Sequence, residues 1–173
     1  MAGFLLYNKD MNELTKKAKE IAEKSHDGQL YGTGELYFTH LEQTARMAEK
    51  MGYCDEVIAA CYLHDIVEDT NTTADDLLKV FPKPVVDAVI AVTFTGSNSD
   101  IKIKQAMSDV IGHVVKFCDA SCNLSNAILN GPLHGKNYKE VVLKRMGYLA
   151  MMLPTLPTPE VIESYLLKSC GNG

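Results

Sequence analysis

The segment Leu63-His64-Asp65-Ile66-Val67-Glu68-Asp69-Thr70 puts four ionisable side chains within six residues of the chain's most apolar helical stretch. Ile58, Ala59, Ala60, Cys61, Leu63 and Ile66 predict one central, enclosed helix from Val57 to about Asp69, capped by Asp55. On a continuous helix His64 and Glu68 share a face, as do Asp65 and Asp69, because each pair is four apart. Burying three carboxylates and an imidazole together is costly unless a cation neutralises them. A divalent metal does this directly. The His-Asp pair alone says little, since His26-Asp27 is a second one.

The rest of the chain reads as helices of ordinary length. Leu14, Ala18, Ile21 and Ala22 line one face of a helix around residues 11 to 25. Gly28, Gly32 and Gly34 make 27 to 38 a loop, and Thr39 is placed to cap a helix that stops at Gly52. Thr73 and Asp76 form a capping box for a short helix ending near Phe81, and Pro84 suits the first turn of the next. After the polar Gly96–Ser99 loop, helix resumes near Asp100, and an apolar stretch runs from Val110 to Leu129. A loop at 130 to 137 precedes helices around 138 to 153 and 159 to 169. No strand-period segment competes. The expectation is an all-α, compact single domain over residues 1 to 173. Its motif-bearing core runs from about 10 to 150, with the C-terminal helices packed on it.

Composition narrows the function classes. Hydrophobic residues make up 46% and charged residues 23%, which fits an ordered globular chain. The net charge of −5 disfavours nucleic acid or an anionic membrane as partner. No apolar run approaches the roughly 20 residues that cross a bilayer. Phe4-Leu5-Leu6-Tyr7 lacks the flanks of a secretory signal, so the expected location is the cytoplasm. Cys54, Cys61, Cys118, Cys122 and Cys170 show no C-x-x-C spacing and read as free thiols in a reducing compartment. Arg46 and Arg145 are the only arginines. Phosphate recognition would therefore lean on lysine, backbone amides or metal.

Two further segments complete a ligand set. His40 opens the second helix 24 residues before His64, and Asp119 stands alone in the apolar Val114–Asp119 run. If these helices pack around one centre, His40, His64, Asp65 and Asp119 offer two nitrogens and two oxygens. That set suits manganese, iron or zinc, with positions left for water and a phosphate oxygen. Such an alternation of ligands over separate helices is the HD-domain arrangement. Ser25-His26-Asp27-Gly28-Gln29, Gly34–His40, Leu63–Thr70, Ala91-Val92-Thr93 and Val115–Asp119 with Asn123 carry the resemblance further. In order and spacing they resemble the hydrolase domain of the Rel/Spo-class guanosine-polyphosphate (alarmone) enzymes and the small stand-alone alarmone hydrolases.

The resemblance implies an HD-type helical bundle with a central metal site. His40, His64, Asp65 and Asp119 match the family's ligands, with Mn2+ the usual ion and Fe2+ or Zn2+ as alternatives. Glu68 and Asp69 match the pair that positions and deprotonates the attacking water. The implied reaction removes pyrophosphate from the 3′ position of ppGpp or pppGpp, a small-molecule nucleotide. His26 takes a supporting role. Tyr31, Thr33, Asn123, Lys144 and Tyr148 fall where the family contacts nucleotide. No synthetase portion fits in the remaining residues, so degradation alone is expected.

Three departures stand out. Tyr31 replaces an arginine that normally faces the nucleotide, Ala120 replaces a basic residue, and Cys122 an aromatic or histidine. They leave open another nucleotide as substrate, or a regulatory module without turnover. Arginine restored at 31 and 120 is expected to lower KM for ppGpp. Lys102 and Lys104 read as a solvated helix face. Met146, Met151 and Met152 read as core or an oligomer contact, and His113 and His134 carry no assigned role.

Overall fold

Alanines set the geometry of the core. In α1 (Glu13–Ser25), α2 (Tyr37–Lys50) and α3 (Asp55–Leu63), Ala18, Ala22, Ala45, Ala48, Ala59 and Ala60 are all buried. Such small side chains let three helices approach closely, and Leu41, Val57 and Leu63 fill the space between them. The computed structural model describes residues 11–31, 34–131 and 137–170. Thr33, His134 and the Phe4–Tyr7 patch lie outside them.

The later elements close around α3. They are α4 (Ile66–Asp69), α5 (Ala74–Leu78), α6 (Lys83–Val92), α7 (Ser99–Met107), α8 (Val110–Leu129), α9 (Tyr138–Met152) and α10 (Pro159–Cys170). A 3-10 turn at Leu153–Thr155 links the last two. The main core joins α1, α2, α3, α6 and the first half of α8, with Ile162 of α10 inserted. A smaller core of Ile103, Ala120 and Met152 ties α7, α8 and α9 together. Ala120, read from sequence as a lost basic residue, thus has a packing role. Met152 is fully buried, whereas Met146 and Met151 are exposed. His113 is buried too, and its Nε2 donates to the Met152 carbonyl at 3.0 Å, tying the end of α9 to α8.

The capping box at Thr73 and Asp76 forms as expected, and α8 has the anticipated bounds. Three local expectations are corrected. The second helix starts at Tyr37 rather than at a Thr39 cap, after an antiparallel bridge between Leu30 and Leu36 closes the preceding loop. Asp55 is the first residue of α3, with Cys54 at the cap position. The enclosed helix does not run on to Asp69: it stops at Leu63, and α4 begins at Ile66. Among the described residues no helix is long and apolar enough to cross a membrane.

Candidate metal centre and cleft

The helix break at His64 and Asp65 builds the centre. Adjacent side chains on a continuous helix diverge by about 100°. Here Asp65 takes φ −102° and ψ 0°, and its Oδ2 comes within 2.9 Å of His64 Nε2. His40 arrives from the first turn of α2 and Asp119 from the middle of α8. One ligand atom each from His40, His64 and Asp65 fits within 4.8 Å of the others. Asp119 Oδ1 lies 3.2 Å from His40 Nε2 and 3.8 Å from His64 Nε2. The structure therefore gathers the candidate ligands His40, His64 and Asp65 into one cluster, with Asp119 beside the two histidines.

The tautomer of His64 favours ligation. Its Nδ1 sits 2.8 Å from the Cys61 carbonyl, to which it must donate. In the neutral ring Nε2 then holds the lone pair, and this buried atom has no hydrogen-bond partner among the described residues despite the nearby carboxylate. Burial opposes charge on His64, but Asp65 and Asp119 raise its imidazole to about 9. Burial likewise opposes charge on Asp119, yet Lys116 and the two histidines hold its carboxyl well below the usual range. The spot demands positive charge, which a divalent cation can supply. These donors fit one.

The surrounding contacts orient the two carboxylates. Tyr37 donates to Asp65 Oδ2 at 2.6 Å, and Lys116 donates to Asp119 Oδ2 at 2.5 Å. The Asn123 amide nitrogen donates to Asp119 Oδ1. Lys116 and Asn123 thus claim opposite carboxylate oxygens and leave Oδ1 turned toward the histidines. His26, fully enclosed, stacks on Tyr37 with ring centroids 5.2 Å apart. That is a supporting position.

A cleft of about 340 Å³ opens above the ligands. Glu68 and Asp69 line it but are exposed, so the expectation of three buried carboxylates is corrected to a wet rim. Partial desolvation within the cleft and the neighbouring Asp65 raise the Asp69 carboxyl. Glu68 accepts from Lys102 Nζ at 3.0 Å through both oxygens, and from the Phe94 amide at 3.3 Å. Lys102 is therefore a cleft residue and not part of a solvated face. Gln105, one turn on, fixes α7 by donating to the Ile90, Ala91 and Thr93 carbonyls at the end of α6. Tyr31, Asn123 and Tyr148 line the cleft, whereas Lys144 is exposed and rests 5.8 Å from the Tyr148 ring centroid. Arg145 takes the lining position instead. Its place three residues before Tyr148, on one helix face, was a legible signal. Nothing local marked Lys102, which meets Glu68 across 34 residues of sequence.

The pattern that describes HD domains matches residues 18–117. The chain belongs to the HD-domain family. Asp119 falls just past the matched stretch, while His40, His64 and Asp65 fall within it. A Mycoplasma pneumoniae protein named "Probable guanosine-3′,5′-bis(diphosphate) 3′-pyrophosphohydrolase" is 30% identical over 160 residues, 80% of this chain and 22% of that protein. A guanosine-3′,5′-bis(diphosphate) 3′-pyrophosphohydrolase of Aquifex aeolicus is 34% identical over 97 residues, 56% of this chain and 14% of that one. The chain thus spans about a fifth or less of the length of these curated relatives. A solved structure titled as a metazoan ortholog of SpoT that hydrolyzes ppGpp superposes with a TM-score of 0.71. It covers 92% of this chain and 97% of its own at 17% identity, which establishes a shared HD-type all-α fold.

Proposed function

We propose that this HD domain is a divalent-metal-dependent, most simply manganese-dependent, 3′-pyrophosphohydrolase of ppGpp and pppGpp, acting in the cytoplasm as a single domain. The observation that carries the reading is the convergence of His40, His64, Asp65 and Asp119 beneath a cleft rimmed by Glu68 and Asp69. Relatives named for this reaction match 80% and 56% of the chain.

A cation held by the four ligands would supply Lewis-acid charge to a phosphate oxygen and acidify the attacking water. The chain's own groups do the rest. Glu68 and Asp69 stand one turn beyond His64 and Asp65, where they can orient a water and take its proton. The water oxygen bonds to the phosphorus on the 3′ oxygen, the bond between that phosphorus and the 3′ oxygen breaks, the 3′ oxygen takes up a proton to become the nucleotide's hydroxyl, and pyrophosphate leaves. Lys102 and Arg145 bring positive charge to a cleft whose loop lacks basic residues. They are suited to phosphate oxygens, Arg145 through its planar fork. Tyr148 and Asn123 complete the lining.

The test is a screen of manganese-loaded protein against ppGpp, pppGpp, deoxynucleoside triphosphates and nucleoside monophosphates. Pyrophosphate release from ppGpp is the expected result. Turnover of another nucleotide alone would move the chain to a different HD phosphohydrolase class. Inactivity on all of them would indicate a nucleotide-binding module.

A further inference from the structure

Tyr31 occupies the place of a nucleotide-facing arginine, but its side chain is already engaged with the metal centre from two directions. Its ring stacks on His40, with centroids 5.5 Å apart and planes at 26°. Its hydroxyl lies 2.5 Å from Asn123 Oδ1 and donates to it. The amide is then polarised in one sense: oxygen accepting from Tyr31, nitrogen donating to Asp119 Oδ1. An unsupported Asn123 amide can turn over and present its oxygen to the carboxylate, which would repel it. The acceptor-only carboxylate sets the sense of the amide, and Tyr31 holds it there by donating to Asn123 Oδ1.

The loop is built to hold this pose. Tyr31 N–H donates to the Glu35 carbonyl at 2.7 Å, and Gly34 N–H donates back to the Tyr31 carbonyl at 2.8 Å. Gly34 adopts φ 87°, a left-handed conformation that glycine tolerates without strain. The loop pairs again through Tyr37 N–H to the Gln29 carbonyl at 2.9 Å. A closed loop thus presses one aromatic side chain onto His40 of α2 and Asn123 of α8.

We propose that Tyr31 is a positioning residue of the metal centre, aligning His40 by stacking and Asp119 through the Asn123 amide. This rests on the metal-centre reading above. Arginine at position 31 would then be no simple gain: it would replace an aromatic ring and a hydroxyl that are both already committed to the metal centre, contrary to the expectation from sequence.

The experiment measures manganese dissociation constants by isothermal titration on chelator-stripped protein, with no substrate present. Parent, Tyr31→Phe, Asn123→Ala and the double variant are compared, with circular dichroism confirming helix content. Loss of a partner that orients a ligand typically weakens metal affinity 10- to 100-fold. Tyr31→Phe, which keeps the ring, should raise the constant roughly 10-fold. In the Asn123→Ala background it should add little, because the hydroxyl then has nothing to orient. Unaltered metal affinity in that variant, or fully additive effects in the double variant, would overturn the relay while leaving the metal centre standing. A parent protein that binds no manganese would overturn both.

Discussion

The two halves of the cleft are built by different rules. The floor, with His40, His64 and Asp119, is buried among helices of the main core, and each of these side chains has a fixed contact. The rim, with Glu68, Lys102, Arg145 and Tyr148, is wetter and hangs partly on α7 and α9, which pack through the small core of Ile103, Ala120 and Met152. The difference follows from what each half must do. A metal site needs donor atoms fixed to a few tenths of an ångström, whereas a rim must admit substrate and exchange partners. Lys102 shows this: its salt bridge to Glu68 uses a charge that phosphate can claim.

The largest effect belongs to the floor. His64→Ala should abolish both bound metal and pyrophosphate release, read by elemental analysis and a coupled assay. Full metal occupancy in that variant would break the division outright. Glu68→Gln, on the rim, should keep metal but lower kcat roughly 10²-fold, the scale of a lost general base. Parent-like turnover would remove Glu68 from the proton-transfer role.

Arg145→Ala sharpens the contrast further. Loss of a charge-assisted hydrogen bond costs about 1.5–3 kcal/mol, so KM should rise about tenfold or more at unchanged metal affinity. Lys144→Ala, one residue away but outside the lining, should leave KM near the parent value. The reverse pattern would restore the sequence-based choice of Lys144.

That contrast also explains what was legible in the sequence. Helical periodicity, the Thr73 capping box and the bounds of α8 are local patterns, and all appear in the structure. The four candidate ligands stood out because ionisable residues in apolar helices need a reason. The break at His64 and Asp65 was hidden, since it has no proline or glycine and stems from tertiary demands on two side chains. Lys102 and the buried setting of Ala120 were equally hidden, because both are decided by partners distant in sequence. Tyr31 was visible as a departure, but its meaning depended on Asn123, 92 residues away.

The smallest effect lies where rim and floor are joined. His113 on α8 donates to the Met152 carbonyl at the end of α9, the helix that carries Arg145 and Tyr148. Burial pushes the His113 imidazole below its ordinary value, only partly countered by that carbonyl. The folded state thus holds the ring neutral, while in the unfolded chain it takes up a proton near pH 6.5. With the folded value lowered, its contribution is complete above the unfolded value and is lost as pH falls through the folded one. His113→Gln removes the titration and can keep a donor for the carbonyl. Urea midpoints of parent and variant, taken from pH 8 down to 5, should therefore converge as pH falls. Hydrogen exchange in α9 should accelerate before exchange in α3 over the same range, since α9 rests on the smaller core. Midpoints that diverge toward acid would mean that His113 is charged in the folded protein and that the rim is anchored in some other way.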